Sequence, residues 1–205
     1  MYYRPEKIND ALHSLSKQKL TIAAGCTDLF PSTHQDNLGN NILDITGIKS
    51  LRNISFENGY RRIGSGITWS DLENYELPKC YEMLKECSIQ VGSRQIQNLG
   101  TIGGNLCLDT RCTYYNQTYP WRKALGFCLK KDGDICWVAR SSPVCLAISS
   151  SDCAPVAVAL NAEFHLTSKN GQRITAAEDF YLLAETRADT LNGGVWYDRG
   201  EFIPD

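Results

Sequence analysis

The chain has 205 residues, 42% of them hydrophobic, with 21 basic and 23 acidic side chains and a net charge of −2. That is enough apolar material for one sizeable domain or for two lobes sharing an interface, and too little positive charge to draw in nucleic acid or an anionic membrane surface. The start, "MYYRPEKINDALHSLSKQ", has no basic stretch leading into an apolar run, and no later segment is apolar for long enough to cross a bilayer, so a cytoplasmic location is expected. In that reducing setting nine cysteines, an odd number, are metal ligands, redox centres or small core side chains rather than a disulfide framework.

In chain order, "DALHSLSKQKL" places Ala11, Leu12, Leu15 and Leu20 near helical spacing, with Asn9 or Asp10 available as a cap. Leu20 to Ala23 is β-prone and meets Gly25, Thr27 and Asp28, which predicts a strand, a tight turn and the start of a helix or extended loop. "NNILDITGI" and "RRIGSGITW" are two further β-rich segments about a polar turn at Glu57, Asn58 and Gly59. Ser70 is the cap-like residue of "TWSDLENY", and Tyr81, Leu84 and Ile89 mark the apolar face of an amphipathic helix in "LPKCYEMLKECSIQV". From Asp109 to about Ser149 cysteines, tyrosines, prolines and lysines follow without a sustained period, as in an irregular insertion organised by something other than its own core. Pro155 then opens a short helix over Val156 to Leu160, and "AEFHLTS" and "RITAAEDF" form a hairpin about Asn170-Gly171 that leads into a helix start.

Two glycine loops, "AAGCTDL" (residues 23–29) and "GTIGGN" (residues 100–105), suit an anion. Glycine permits positive φ and lets backbone N–H groups approach a ligand, with a hydroxyl from Thr27 or Thr101 alongside. Glycine in a turn also has the plain meaning of a turn, and neither loop fits G-x-G-x-x-G after a strand or G-x-x-x-x-G-K-[ST]. His13, His34 and His165 are isolated, and no H-E-x-x-H or G-x-S-x-G occurs, so hydrolase readings have no support.

"AAGCTDL", "TIGGNLC" and "SSDCAPVAVALNAEFHL", in this order, resemble the flavin-binding medium subunit or domain of the molybdenum hydroxylases, the xanthine and carbon monoxide dehydrogenase family. The resemblance covers nearly the whole chain outside the cysteine-rich stretch. It implies an α+β, two-lobed FAD-binding domain of the molybdopterin dehydrogenase flavoprotein type, with one lobe at about residues 1–55 and the other at about 56–205. It further implies that Ala24, Gly25, Cys26, Thr27, Asp28 and Leu29 on one side, and Gly100, Thr101, Gly103, Gly104 and Asn105 on the other, grip the FAD pyrophosphate. Asp152 then hydrogen-bonds the cofactor's polar chain or ribose. Cys26 stands where the family commonly has glycine or another small residue. Family members continue into a further C-terminal domain, which this chain, stopping at "YDRGEFIPD", is expected to lack.

Cys112, Cys128, Cys136 and Cys145 are spaced C-x15-C-x7-C-x8-C, and four thiolates on a loop-rich stretch suit either a tetrahedral zinc or a [4Fe–4S] cluster. Spacing alone does not choose. "CLDTRCTYYNQTYPWRKALGFCLKKDGDICWVARSSPVC" resembles the cluster-binding insertion, here residues 109–149, of the β subunits of 4-hydroxybenzoyl-CoA reductases. That resemblance implies a [4Fe–4S] cluster on these four cysteines and leaves Cys26, Cys80, Cys87, Cys107 and Cys153 as structural thiols. Tyr114, Tyr115 and Trp121 either shield the cluster or simply pack, and Lys130 and Lys131 either offset thiolate charge or lie in a solvated turn. The expected role is an oxidoreductase subunit that passes electrons between an external carrier such as ferredoxin, its own cluster and FAD, and a [2Fe–2S] small subunit. A molybdenum-cofactor large subunit then holds the substrate, 4-hydroxybenzoyl-CoA, and no catalytic residue lies on this chain. The rival readings are an NAD-linked xanthine or aldehyde dehydrogenase-like complex, and a non-redox module with structural zinc.

Overall fold

The computed structural model describes residues 1–32, 41–57 and 59–181. His34, Asn58 and the C-terminal "YDRGEFIPD" lie outside them.

The N-terminal part is a three-stranded parallel sheet in the order β1 (Tyr2–Tyr3), β3 (Ile42–Asp44), β2 (Thr21–Ala23), with Tyr2 opposite Ile42 and Ile22 opposite Leu43. Helix α1 (Ile8–Lys17) lays Ile8, Ala11, Leu12 and Leu15 against the sheet, the i, i+3, i+4, i+7 stripe of an amphipathic helix. Leu20, Leu43, Ile45, Ile48 and Leu51 complete this core. The helix starts earlier than its sequence caps suggest. Lys7 holds the cap position without a side-chain bond, because Ile8 already belongs to the buried stripe, and Asp10 falls in the first turn, where the helix dipole favours it.

Of the two β-rich segments, only Ile42–Asp44 and Tyr60–Ile63 are strands. After β3 the chain turns into short 3-10 helices at Ile45–Gly47 and Lys49–Arg52. Strand β4 (Ile54–Glu57) pairs antiparallel with β5 (Tyr60–Ile63), and beyond Ile63 the Gly64 and Gly66 N–H groups still donate to the Asn53 and Leu51 carbonyls at 2.8 and 2.6 Å. The cap of α3 (Trp69–Asn74) is Thr68, in a reciprocal capping box with Asp71, whereas Ser70 reaches across to Asn98 at 2.6 Å.

Helices α4 (Glu82–Gln90), α5 (Arg94–Leu99), α6 (Ile102–Leu106) and α8 (Ala154–Ala159) surround a second core built on Trp69, Leu72, Leu84, Ile102, Phe164 and Leu166. The inward face of α4 is set by Leu84 and Ser88, so Ile89, expected inside, points out at 49% exposure. The hairpin is as the sequence reads. Strand β6 (Glu163–Ser168) pairs with β7 (Gly171–Ala176) and runs into α9 (Ala177–Phe180), whose Phe180 meets Phe164 edge-on at 4.8 Å. No helix among the described residues is long and apolar enough to cross a membrane.

Residues 109–149 are less irregular than their texture suggests. Thr118 caps a short helix α7 (Tyr119–Ala124), with Pro120 in its first turn, and Tyr114 packs between Trp121 and Trp137 at 6.3 and 6.4 Å. Buried Arg122 stacks on Tyr115 and Phe127, each at 5.5 Å. This stretch has a small core of its own, made of rings and cations rather than aliphatic side chains.

Candidate functional site

The two glycine loops meet where Gly25 and Thr27 approach Leu99 and Gly100, and close packing there, at Ile96 and at Ser65 accounts for three of their glycines. A Cβ on Gly25 falls 1.7 Å from the Leu99 carbonyl oxygen, one on Gly103 falls 2.5 Å from the Ser65 Cβ, and one on Gly100 stands 3.0 Å from the Ile96 oxygen. None of these glycines has positive φ. The left-handed residue is Cys26, at φ 57°, so the conformational reason expected for the glycines is corrected to close backbone packing. Gly104 differs, because it is exposed and its Cβ position meets only Thr101 Oγ1 at 3.0 Å.

The loops also differ in their amides. In the second loop Gly100 N–H donates to Ile96, Ile102 to Ile67, Gly103 to Ser65 and Asn105 to Thr101 carbonyls at 2.6–3.0 Å, and Gly104 N–H donates to Thr101 Oγ1 at 3.1 Å. These donors serve the fold. In the first loop the N–H groups of Gly25, Cys26, Thr27 and Asp28 have no acceptor among the described residues. Thr27 Oγ1 sits against Gly100, Ala24 packs on the N-terminal core and Leu29 begins α2 (Leu29–Ser32).

Asn105 and Asp152, read from sequence as cofactor contacts, are joined to each other. Asn105 Nδ2 donates to Asp152 Oδ2 at 2.9 Å, while its Oδ1 accepts from Ser151 Oγ at 2.9 Å and from Cys153 N–H at 3.0 Å. Ser151 Oγ in turn accepts from Ala154 N–H at 3.0 Å, at the start of α8. One buried amide thus fixes the "SSD" turn to the "TIGGN" helix and aims the Asp152 carboxylate.

Arg111, which motif reading passed over, bridges the loops to the cysteine stretch. Its Nη2 donates to Asp28 Oδ1 at 2.6 Å, and its backbone N–H donates to Ser150 Oγ at 2.9 Å. The next residue is Cys112.

Cys112, Cys128, Cys136 and Cys145 line one small open cavity, together with Tyr115 and Lys130. Among the described residues no group of three or more His, Cys, Asp or Glu side chains is drawn together tightly enough for a single metal ion. Burial pushes the Cys136 thiol up, but N–H groups of Ala139, Leu146 and Val138 outweigh it and hold the thiol below its ordinary value. Cys145 is held above its ordinary value by burial, against the Ala147 N–H and Lys130. Lys130 is not in a solvated turn: its side chain is 3% exposed, 3.0 Å from Asp109 and 4.8 Å from the centre of the Tyr115 ring.

The other five thiols lie outside that cavity. Cys153 is fully buried and its S–H donates to Cys87. That bond lowers Cys87 below the ordinary thiol value and, with burial, keeps Cys153 protonated. Cys26 donates to the Ala24 carbonyl at 3.3 Å, Cys80 is exposed, and Cys107, exposed as a residue, has its thiol pushed up to about 12 by desolvation.

A family model described as the FAD binding domain in molybdopterin dehydrogenase matches residues 1–194. The nicotinate dehydrogenase FAD-subunit of Eubacterium barkeri is 34% identical over 110 residues, 51% of this chain and 37% of that protein. The xanthine dehydrogenase FAD-binding subunit of Escherichia coli O157:H7 is 32% identical over 110 residues, 52% of this chain and 38% of that protein. In fold, a chain of carbon monoxide dehydrogenase from Hydrogenophaga pseudoflava matches with a TM-score of 0.68 at 19% identity, over 99% of this chain and 56% of that one. The match thus spans little more than half of that solved chain's length and less of the two relatives'. With the mixed helix and strand architecture and the facing glycine loops, the match over residues 1–194 gives the conclusion that the chain belongs to the FAD-binding domain family of the molybdopterin dehydrogenases.

Proposed function

We propose that this chain is the flavin- and cluster-bearing electron-transfer component of a molybdenum-containing oxidoreductase, with FAD between a lobe at about 1–55 and a lobe at about 56–205. The observation that carries the cluster half is the convergence of Cys112, Cys128, Cys136 and Cys145 on one cavity. Those residues fit an anionic guest. Cys136 receives three backbone N–H groups, and a buried ammonium lies alongside. Four thiolates suit either zinc or a [4Fe–4S] cube, and the cube is preferred on the resemblance of "DTRCTYYNQ" and "CLKKDGDIC".

When bound, the cluster and the flavin supply one-electron and two-electron redox chemistry respectively. The chain's own residues bind and position. The unpartnered amides of Gly25 to Asp28 receive the pyrophosphate, the exposed face of Gly104 gives it room, and Asp152, aimed by Asn105, accepts hydrogen bonds from the ribose or polyol hydroxyls. Arg111 and Asp28 keep the cysteine stretch against the flavin loop. On the resemblance of "DTRCTYYNQ" and "CLKKDGDIC", the complex reductively dehydroxylates 4-hydroxybenzoyl-CoA with reduced ferredoxin as donor. A molybdenum-cofactor subunit and a [2Fe–2S] subunit are its partners.

The test is the visible spectrum and the iron, acid-labile sulfide and flavin content of the chain purified without oxygen. Flavin bands with a broad shoulder that bleaches with dithionite, and iron equal to sulfide, are expected. Zinc in place of iron, or an absence of both metal and flavin, overturns the reading. Assays of the complete complex with 4-hydroxybenzoyl-CoA and reduced ferredoxin, and with purines and aldehydes plus NAD, decide the substrate.

A further inference from the structure

The small core of residues 109–149 contains two buried cations, Lys130 and Arg122, that share one ring, Tyr115, at 4.8 and 5.5 Å from its centre. Taking an ammonium and a guanidinium out of water costs several kcal/mol each unless negative charge or hydrogen bonding compensates. Arg122 is compensated mainly by the Lys131 carbonyl at 2.8 Å, with Asp132 at 3.7 Å and largely in solvent. Lys130 meets Asp109 Oδ1 at 3.0 Å. The other carboxylate oxygen accepts the Tyr115 hydroxyl at 2.9 Å, and Oδ1 also accepts the Thr110 N–H at 2.7 Å, so Asp109 is fixed from three sides. This clamp places the Lys130 ammonium at the wall of the four-cysteine cavity, within electrostatic reach of Cys145.

We infer that Lys130, held by Asp109 and Tyr115, is the positioned countercharge of the four-thiolate cavity and sets the midpoint potential of the group bound there. The inference rests on the cluster reading given above. When the cluster takes up one electron, from dithionite in the test below, the assembly gains one unit of negative charge. A fixed ammonium at the cavity wall stabilises the reduced form more than the oxidised form, in a setting where solvent screens little. Lys130 therefore holds the potential higher than it stands without that charge. It acts through the field it imposes, as a positioning residue rather than a ligand.

The experiment uses the full chain purified without oxygen, as wild type and as K130M, K130R, D109N and the exposed control K131M. Iron and sulfide are measured first, and then the reduction is followed by absorption and electron paramagnetic resonance against a graded potential. The expected result is iron in all five proteins, a midpoint potential moved negative in K130M and positive in D109N, and wild-type values in K130R and K131M. If K130M fails to retain iron, retention by K130R supports the charge role, and equal loss from both overturns it. An iron-replete K130M at the wild-type potential, or a K130R shifted as far as K130M, also overturns it. A wild-type chain without iron overturns the cluster reading itself and is thereby distinguished from a failure of Lys130 alone.

Discussion

Cys26 occupies a backbone conformation, φ 57°, that costs a residue with a Cβ about 1–2 kcal/mol relative to glycine. C26G is therefore expected to be neutral or to stabilise the fold by up to about 1 kcal/mol, once the extra entropy of an unfolded glycine is subtracted. C26V should destabilise it, and urea unfolding checks both. Gly25 behaves oppositely. Its missing Cβ is what lets the Leu99 carbonyl approach, so G25A must part the loops, with an expected loss of about 2–4 kcal/mol and of bound flavin. G104A separates folding from binding, because that position is exposed with only one near neighbour. Its melting temperature should match wild type while flavin retention falls, and unchanged retention would remove Gly104 from the cofactor site.

Between elements, the buried Asn105 amide does the joining. N105A leaves the Ser151 hydroxyl, the Cys153 N–H and the Asp152 carboxylate short of a partner, an expected loss of about 2–3 kcal/mol seen in chemical denaturation. Caps introduce a pH dependence. Burial pushes Asp44 and Asp71 up, but hydrogen bonds from Thr46 and Tyr2, with Arg4, outweigh it at Asp44, and bonds from Thr68, with Arg52, outweigh it at Asp71. Both carboxyls therefore stay below the ordinary value of about 3.9. A depressed carboxyl stabilises the fold fully above that value, and the contribution disappears as pH falls through the folded-state value. Unfolding midpoints should accordingly be flat from pH 7 to about 5 and fall below about 4, with a smaller fall in D71N. An equally steep fall in D71N would remove Asp71 from that account.

At the scale of the whole molecule, the Arg111–Asp28 pair is the link between the first glycine loop and the cysteine cavity. It is partly exposed, so its direct contribution to stability is only about 0–1 kcal/mol. Its effect belongs to registration of the two regions. R111A and D28A should each release flavin more readily at nearly unchanged melting temperature, and the double variant should release it no faster than either single one, as dialysis followed by absorbance would show. Much of this was legible in advance. The stripe of α1, the β6–β7 hairpin, the helix after Pro155, the two loops and the four spaced cysteines are local periodicities or short motifs, and local sequence dictates them. Cap positions shifted because burial of Ile8 and the Thr68–Asp71 box outweighed the local preference of Asn9 and Ser70. Ile89 turned outward because the neighbours of α4 chose Leu84 and Ser88. By itself, then, the sequence determined the α1 stripe, the β6–β7 hairpin and the helix after Pro155, but not the 3-10 turns after β3 or helix α7. Tertiary structure alone decided the rest: that Gly25 serves contact between the loops and Gly103 contact with Ser65, that only the first loop keeps its amides open, that Arg111 reaches Asp28, and that Lys130 is buried. Each of these depends on groups far apart in the chain coming within a few ångströms, and spacing along a sequence carries no such distance.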